Sequence, residues 1–481
     1  GSWRLVQRPP HWPALPTDFV AIEVPTSPDA AVIEEHVQTL LLRQAGSLAA
    51  VRTRVRGIWP RRWYGAPSPP PSPPVATAPA DGEVQLPPVW AGPGARAAPH
   101  SGSGIVPLRR DQSATARRAV PRPPGTGRAP LTGRAALRAE GRQRDVTGHG
   151  KGMPYDFITR AMNASTFWAG GARGAGVRVA VFDTGISKTQ DFLRHLVEAV
   201  DFTSEGSTSD TVGHSSFMAG TIASTKSPPA QADSPGCGGL APDAEIYVAR
   251  VFTSAQASAT EWFLEAFNFA LHRKVHLVNL AVGGPDYRDQ PFLDKVEQLA
   301  AAGITIASGA GNSGPGWGTV MNPADDAVVI GVAGLDQDGT LAPWSSRGFT
   351  QWEEPHGAGR AGVDVLTHGE FWAADQHNSC QHQWGTSVAC PAVVGVLAML
   401  LSAIPEGPRA ALLNPAALKQ VLYAGAKPMP QYSWLEQGAG LLDPRATHAA
   451  MKSFSPHTSA IPAILDLRPE AGCPYLSPLC D

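Results

Sequence analysis

The chain has 481 residues, of which 43% are hydrophobic, and its formal net charge at pH 7 is −2. This length allows more than one folding unit, and the apolar content is sufficient for a sizeable core. The balanced charge gives no electrostatic reason to expect nucleic acid or a membrane surface as a partner, and no apolar run of 18 residues is present to span a membrane.

The first 60 residues have the pattern of a small α/β unit. Mostly apolar residues predict a strand at 18–24, and an apolar stripe with helical spacing predicts a helix at 29–43. Asp29 lies near the start of this helix, where negative charge is favoured. Alternation of apolar and basic residues at 51–56 predicts an edge strand. We therefore expect a small folded unit at 1–60.

Residues 61–150 have the composition of a linker. Pro, Gly, Ala, Ser and Arg dominate, and the apolar content is too low to offset the entropy lost on folding. Ten arginines but only two acids lie between Arg109 and Arg144. Such basic runs are most often solvated linkers. Its position between two predicted folding units also makes this segment a candidate for proteolytic processing.

From about residue 154 the pattern changes to alternating strands and helices. Apolar strands separated by helices predict an α/β fold with a mainly parallel sheet covered on both faces. Ligands of such sheets bind at the carboxyl ends of the strands. The predicted strands are 177–183, 245–252, 275–282, 304–308 and 327–332, and the predicted helices are 214–223, 260–274, 291–302, 387–401 and 415–424.

Four polar residues stand out against these elements. Asp183 ends a predicted strand, and His214 begins a helix of small residues. Asn312 follows another strand, and Ser387 lies in a Gly-Thr-Ser turn before an apolar helix. A serine in such a turn is a nucleophile only if a base lies beside it and a donor faces the oxyanion. The chain order Asp, His, Asn, Ser is the order found in subtilisin.

These motifs, and the sequence between them, resemble the subtilase family and most closely its site-1 protease branch. The resemblance extends from about Gly176 to Cys480. It implies a subtilisin-like three-layer fold with helices on both faces of the sheet, preceded by a small α/β pro-domain. The segments that carry it include Arg250-Val251-Phe252-Thr253, Gly283-Gly284-Pro285-Asp286, Asn322-Pro323-Ala324-Asp325 and Cys473-Pro474-Tyr475.

The resemblance implies a role for each of the four residues. Ser387 would be the nucleophile, and His214 the general base and then the general acid. Asp183 would orient His214, and Asn312 would donate to the oxyanion. Each residue taken singly also fits an ordinary role in a turn or a helix cap. Their combination in this order favours a serine endopeptidase.

Substrate contacts are predicted after the strand at 275–282. Gly283 and Gly284 resemble the segment of the family that pairs with an extended substrate backbone, and Ala281 precedes them. Asp286 and Asp289 are candidates to receive a basic substrate side chain. Surface acids are more often simply solvated, and this ordinary interpretation competes with the functional one.

The sequence departs from the family pattern at four positions. Ser215 replaces the glycine after the histidine, and Ala281 replaces a serine before the glycine pair. Cys390 replaces a serine or alanine, and Val363 replaces a proline. None of these changes removes a catalytic group. They keep open an alternative function, a pseudoprotease that binds peptide or pro-domain without cleaving it, but the four intact site residues favour an active enzyme.

The resemblance also divides the chain. Residues 1–60 would form a partial pro-domain, and 61–150 a linker with processing sites. Residues 151–455 would form the peptidase domain, and 456–481 the start of a C-terminal extension. The chain has no signal-like start and ends abruptly at Asp481, so we expect a fragment of a longer protein.

Partners and location follow from the family resemblance. Protein or peptide substrates are expected, and the branch implies membrane-anchored transcription factor precursors. The pro-domain is expected to act as an intramolecular inhibitor. No metal or cofactor is indicated by the residues, because no acidic cluster has the spacing of a calcium loop, and calcium is suggested by the resemblance alone. The resemblance implies a secretory-pathway protein, in the lumen of the Golgi or the endoplasmic reticulum.

The five cysteines do not form an evident paired framework. Cys473 and Cys480 bracket a short loop that a disulfide could close in an oxidising lumen. Cys237, Cys380 and Cys390 have no local partner. Cys390 is interpreted as a small buried apolar residue of the helix that follows Ser387.

The linker contains one candidate site for self-processing. The family resemblance implies a preference for an arginine four residues before the cleaved bond and an aliphatic residue nearer to it. Arg134-Ala135-Ala136-Leu137 matches this preference, which predicts cleavage between Leu137 and Arg138. Arg128-Ala129-Pro130-Leu131 is a poorer match, because Pro130 has no N–H for strand pairing. A linker rich in Arg and Ala also contains such sequences through its composition alone.

Overall fold

A computed structural model describes residues 152–187, 191–226, 236–284, 289–350 and 361–457, together with residues 4–5, 11, 22–23 and 63–65. All of these belong to one structural unit. Most of the predicted pro-domain and linker, and nearly all of the predicted C-terminal extension, lie outside the described residues. So do Asp286, the predicted Cys473–Cys480 pair and the predicted cleavage site at Leu137.

Strands and helices alternate along most of the described chain. The strands are β1 (Arg4–Leu5), β2 (Ile22–Glu23), β3 (Trp63–Gly65), β4 (Arg178–Asp183), β5 (Leu196–Asp201), β6 (Glu245–Arg250), β7 (Ala257–Ala259), β8 (Leu277–Leu280), β9 (Thr305–Gly309), β10 (Ile330–Leu335), β11 (Val365–His368), β12 (Glu370–Ala374) and β13 (Cys380–Trp384). The helices are α1 (Phe157–Ala161), α2 (Ala164–Ala169), α3 (His214–Ala223), α4 (Thr260–Arg273), α5 (Gln290–Ala301), α6 (Thr386–Ser402), α7 (Glu406–Leu412), α8 (Pro415–Gly425), α9 (Trp434–Gln437) and α10 (Pro444–Lys452). None of the described helices combines the length and the apolar character needed to cross a membrane.

Seven strands form the central sheet, in the order β11-β10-β9-β8-β4-β6-β5. Every neighbouring pair in this sheet is parallel. The carboxyl ends of β4, β6, β8 and β9 therefore lie along one edge of the sheet. The predicted α/β class with a mainly parallel sheet is confirmed.

The core lies on both faces of this sheet, as the sequence pattern predicts. Because side chains alternate along a strand, Val179 and Val181 of β4 face one hydrophobic cluster and Ala180 and Phe182 face another. The first cluster includes the apolar residues of α3 and α6, and the second those of α4 and α5. Helices on both faces give three layers.

The element boundaries follow the predictions closely in most places. The prediction for α3, 214–223, matches the structure, and α6 begins one residue earlier than predicted. The strand predicted at 327–332 is instead β10, displaced to Ile330–Leu335. The reason is a turn in which the carboxylate of Asp326 accepts the N–H of Val328, so the chain cannot yet be extended there. The half-exposed edge strand β5 is absent from the predictions.

An antiparallel hairpin formed by β12, β13 and the turn 375–379 precedes the helix of Ser387. It packs against α3, where the rings of Phe371 and Phe217 stack with centroids 5.9 Å apart. Cys380, the first residue of β13, forms a disulfide with Cys237, 143 residues away in the sequence. The sequence gives neither cysteine a local partner, and this long-range pairing is one that no local pattern indicates.

Candidate active site

The carboxylate of Asp183 lies on the carboxyl edge of the sheet. It ends β4, between β6 and β8, and is 1% exposed. Both of its carboxylate oxygens lie 2.8 Å from Nδ1 of His214. Oδ1 also accepts the backbone N–H of Thr184 at 2.7 Å. The bond between Nδ1 of His214 and the Asp183 carboxylate fixes the orientation of the His214 ring and the position of its proton.

His214 begins α3 with its ring buried. Because Nδ1 donates its proton to Asp183, Nε2 carries the lone pair of the neutral ring. Nε2 is buried and has no hydrogen-bond partner among the described residues, so it is free to accept a proton. Burial opposes a charge on the ring, but the carboxylates of Asp183 and Asp210 outweigh burial and raise the pKa of His214 above its ordinary value.

Ser387 is the second residue of α6 and is 7% exposed. The preceding turn contains Gly385, whose φ is +137°. A Cβ on Gly385 would lie 3.2 Å from Oγ of Ser387 and 3.2 Å from Nδ2 of Asn312. Because Gly385 has no side chain, a space remains open that is bordered by the hydroxyl of Ser387 and the side-chain amide of Asn312.

Asn312 follows β9, and its side-chain amide is oriented by a defined set of bonds. Oδ1 of Asn312 accepts the backbone N–H of Thr386 at 2.8 Å and its hydroxyl at 3.1 Å. The Thr386 hydroxyl in turn accepts the N–H of Gly311 at 3.0 Å. Because these bonds occupy Oδ1, Nδ2 is the atom left to donate towards the space beside Gly385.

The helices that carry His214 and Ser387 are in direct contact. A Cβ on Gly395 of α6 would lie 3.4 Å from Cα of Ile222 in α3, so the two backbones approach closely there. The structure thus brings Asp183 and His214 into hydrogen-bond contact. It places Asn312 and Ser387 beside one glycine at the start of the adjoining helix.

Two further polar residues connect the end of β4 to the start of α3. Thr184 Oγ1 donates to Asp210 Oδ1 at 2.8 Å and accepts the N–H of Ser215 at 3.1 Å. Asp210 is 6% exposed. Sequence analysis does not single out Asp210 or Thr184. The only signal for Asp210 is an acid four residues before a histidine that begins a helix, where negative charge is favoured.

Ser215, the most serious departure from the family pattern, is fully buried. Its backbone N–H is bonded to Thr184, but its Oγ has no hydrogen-bond partner among the described residues. A buried hydroxyl without a partner costs about 1–3 kcal/mol. The other departures are also accommodated in the interior: Cys390 is buried as predicted, and burial raises the pKa of its thiol.

The predicted substrate-binding glycines, Gly283 and Gly284, differ in whether their backbone N–H and C=O groups already have hydrogen-bond partners. Gly284 exchanges both backbone hydrogen bonds with Asn322, at 2.8 and 2.9 Å. Successive residues of an extended chain present their backbone groups to opposite edges. Gly283 and Ala281 therefore present theirs away from Asn322, and those of Gly283 form no backbone–backbone hydrogen bond with other described residues. The position that can pair with a substrate is Gly283, while Gly284 holds the segment in place.

The two acids proposed for substrate recognition have different outcomes. Asp289 is 5% exposed and serves as the N-cap of α5, accepting the N–H of Phe292 at 3.4 Å. It also accepts the hydroxyl of Thr260 at 2.7 Å. These contacts do not suit it to receive a substrate side chain. Asp286 lies outside the described residues.

A metal site is not evident in the described ranges. They contain no group of three or more His, Cys, Asp or Glu side chains that could hold an ion. The calcium suggested by the family resemblance thus has no matching carboxylate cluster in this part of the chain.

Comparison with known proteins gives a consistent result. The profile of the subtilase family matches residues 174–442. The subtilisin-like protease SBT6.1 of Arabidopsis thaliana is 43% identical over 324 residues, which are 67% of this chain and 30% of that protein. The human membrane-bound transcription factor site-1 protease is 41% identical over 324 residues, 67% of this chain and 29% of that protein. Subtilisin DY of Bacillus licheniformis is 28% identical over 247 residues, 51% of this chain and 83% of that protein.

These matches cover the two chains unequally. The chain spans less than a third of the length of the first two relatives, and the family profile covers the part that carries the sheet and the candidate site. The family profile covers more than half of the chain, and the fold is the one that the resemblance implied, so this protein belongs to the subtilase family of serine endopeptidases.

Proposed function

We propose that this protein hydrolyses peptide bonds of protein substrates with Ser387 as nucleophile, His214 as base, Asp183 as its orienting acid and Asn312 as oxyanion donor. One observation carries the proposal. The buried Asp183–His214 pair leaves Nε2 without a partner, on a helix that packs against the helix of Ser387. A buried acceptor nitrogen that nothing satisfies costs stability, so its presence needs an explanation, and a catalytic role is one such explanation.

The reaction begins with an attack that forms a tetrahedral intermediate. Ser387 Oγ attacks the carbonyl carbon of the substrate, and its proton moves to Nε2 of His214. The carboxylate of Asp183 stabilises the imidazolium that results. The carbonyl oxygen becomes an oxyanion and accepts a hydrogen bond from Nδ2 of Asn312. Loss of the corresponding donor in subtilisin costs roughly 10²–10³ in turnover.

Breakdown of that intermediate gives the acyl-enzyme, and hydrolysis of the acyl-enzyme completes the reaction. The imidazolium of His214 gives its proton from Nε2 to the leaving amine, and the C–N bond breaks. Water then attacks the ester carbon, and Nε2 takes a proton from it. Collapse of the second tetrahedral intermediate returns that proton to Oγ of Ser387 and frees the new carboxylic acid, which then ionises in water.

Labelling with a serine-reactive fluorophosphonate tests this assignment. The matured protein should be labelled at one site, and Ser387→Ala should abolish labelling and peptide cleavage. Ser402→Ala is a matched control, because Ser402 ends the same helix. It should be labelled like the natural protein. Equal labelling or cleavage by the Ser387→Ala protein would show that the nucleophile is elsewhere.

We further propose that residues 1–60 form a pro-domain whose C-terminal flank acts as an intramolecular inhibitor. Backbone pairing supports this, since β3 (Trp63–Gly65) pairs antiparallel with β7 (Ala257–Ala259). β7 lies beside the end of β6, where the Ser258 hydroxyl donates to the carbonyl of Val251. An added antiparallel strand at this edge is the manner in which a peptide substrate would bind.

The wider role proposed is that of a proprotein convertase of site-1 protease type. The human relative is named for its action on membrane-bound transcription factors, and precursors of that kind are the proposed substrates. A secretory-pathway location, in the Golgi or endoplasmic reticulum lumen, agrees with the Cys237–Cys380 disulfide, because disulfides persist in oxidising compartments. Cleavage of a membrane-anchored precursor by the matured protein, lost in Ser387→Ala, is the test.

Ser215 supports a second candidate, a pseudoprotease that binds without cleaving. Its unpartnered hydroxyl is buried one residue after His214. On this alternative the matured protein is inert to fluorophosphonate, and Ser215→Gly restores labelling. Labelling of the natural protein excludes it.

A further inference from the structure

Asp210 is a buried carboxylate that the proposed mechanism does not use. It lies in the loop before α3 and is 6% exposed. The donors around it are hydroxyl and backbone N–H groups, none of which carries a charge. Oδ1 accepts from Thr184 Oγ1 at 2.8 Å, Val212 N at 3.1 Å and Gly213 N at 2.8 Å, and Oδ2 accepts from Ser216 N at 2.9 Å and Ser216 Oγ at 2.7 Å.

These bonds connect the strand of Asp183 to the helix of His214. Thr184 directly follows Asp183, and its hydroxyl donates to Asp210. Gly213 directly precedes His214, and its N–H donates to the same carboxylate oxygen. The two residues that form the acid–base pair are thus each one residue away from a bond to Asp210. Because the Asp210 carboxylate accepts from the neighbours of both Asp183 and His214, it fixes the separation of those two residues.

Asp210 also affects the charge on the ring. His214 is the first residue of α3, where the positive end of the helix dipole disfavours a second positive charge. The charged groups that act on the ring from the described residues are the carboxylates of Asp183 and Asp210. The β12–β13 hairpin contributes Gln376, whose uncharged amide fills the space beside Gly213. Asp210 therefore offsets the dipole at the point where the imidazolium forms.

We propose that Asp210 is a positioning residue for His214, which holds the start of α3 against the end of β4 and supplies a second negative charge to the imidazolium. The inference rests on the proposed function of His214 and Ser387. It deepens that function, because the base would depend on two carboxylates, only one of which touches it.

Asp210→Asn tests both parts of the proposal. The rate of fluorophosphonate labelling at Ser387 should fall on the order of tenfold or more on the alkaline plateau, because the base is displaced. Loss of the negative charge lowers the pKa of His214, so the acid limb of the rate profile should move to lower pH. A purely structural role would lower the rate and leave the acid limb in place.

Asp336→Asn is a matched control. Asp336 is 7% exposed and accepts the N–H groups of Asp338 and Thr340, both at 3.0 Å, and the Thr340 hydroxyl at 2.9 Å. It does not act on the His214 ring. The control should lose stability but keep both the labelling rate and the acid limb of the natural protein.

If Asp210→Asn does not fold, Thr184→Val removes one bond to Asp210 and keeps the charge. It should lower the labelling rate severalfold with the acid limb unchanged, and a natural rate would overturn the positioning role. NMR titration of the His214 ring separates this inference from the proposed function. It requires no activity, and equal pKa values in the natural and Asp210→Asn proteins overturn the charge role. Absence of labelling in the natural protein overturns the proposed function instead.

Discussion

At the scale of single residues, the site depends on small side chains as much as on reactive ones. Gly385 separates Ser387 from Asn312 without filling the space between them. Thr386 uses both its N–H and its hydroxyl to hold the carbonyl oxygen of Asn312, which aims the amide nitrogen. The proposed chemistry therefore requires a glycine and a threonine that carry out no step of the reaction.

Gly385→Ala should abolish most activity without unfolding the protein. The new methyl group would lie within 3.2 Å of the Ser387 hydroxyl and the Asn312 amide, so we expect turnover to fall on the order of 10²-fold. Gly339→Ala is the control for backbone strain. Gly339 also has positive φ, +73°, but no atom lies within 4 Å of its missing Cβ. Gly339→Ala should lose about 1–2 kcal/mol of stability and Gly385→Ala about 1–3 kcal/mol, because its backbone lies in a region open essentially only to glycine. Similar turnover in both variants would contradict the steric explanation.

Replacing Ser215 should stabilise the protein. Ser215→Ala removes the unpartnered hydroxyl and keeps Cβ, so the free energy of unfolding should rise by about 1 kcal/mol. Ser215→Gly also removes Cβ and should give up about 0.5–1 kcal/mol of that gain through backbone entropy. Chemical denaturation measures both. Turnover should rise or stay unchanged in Ser215→Gly, and a less stable Ser215→Ala protein would mean that the hydroxyl has a partner.

At the scale of elements, the site is assembled by packing against α3 from two sides. β4 contributes Asp183 from the sheet, and the β12–β13 hairpin contacts the outer side of the helix. A Cβ on Gly220 would lie 2.9 Å from the carbonyl oxygen of Ala374, so the hairpin touches the backbone of α3. The same hairpin leads into Gly385 and Ser387. Its position therefore affects both the base and the nucleophile.

Loss of the Cys237–Cys380 disulfide should weaken this arrangement. We expect Cys237→Ser with Cys380→Ser to lower the free energy of unfolding by about 2–4 kcal/mol, because the bond closes a long loop. Thermal melting with and without reductant measures the effect. Reductant should lower the melting temperature of the natural protein and not of the double variant. Cys390→Ala is the control, since Cys390 is a buried free thiol, and it should respond to reductant like the natural protein.

At the scale of the whole molecule, activity is expected to depend on segments that precede the sheet. The N-terminal strand Trp63–Gly65 pairs with β7 at the edge proposed for substrates. A segment that occupies this edge must leave before a protein substrate can bind. Proteolysis in the linker between residue 65 and the start of the peptidase domain is a direct way to release it.

Self-processing is predicted between Leu137 and Arg138. Arg134 would occupy the position four residues before the cleaved bond, so Arg134→Ala should block the cut, while Arg128→Ala should not. N-terminal sequencing of the matured protein measures the outcome, with a chain starting at Arg138 expected. A different start, or the same start in Ser387→Ala protein expressed without other proteases, contradicts the prediction.

The sequence alone determined the features that depend on local pattern. Apolar periodicity predicted five of the seven strands of the sheet and the extent of α3, because a buried element needs apolar residues at fixed spacing. The order of Asp183, His214, Asn312 and Ser387 indicated the family, because it resembles the order found in subtilisin.

Only the tertiary structure decided which distant groups meet. It paired Cys237 with Cys380 and assigned Asp289 to a helix cap. It also showed that the backbone groups of Gly284 bond to Asn322, whereas those of Gly283 point to the opposite edge of the segment. It placed Asp210 between the strand of Asp183 and the helix of His214. The physical reason is common to all four. Sequence spacing fixes the direction of a side chain within its own element, whereas its partner is fixed by how elements far apart in the chain pack together.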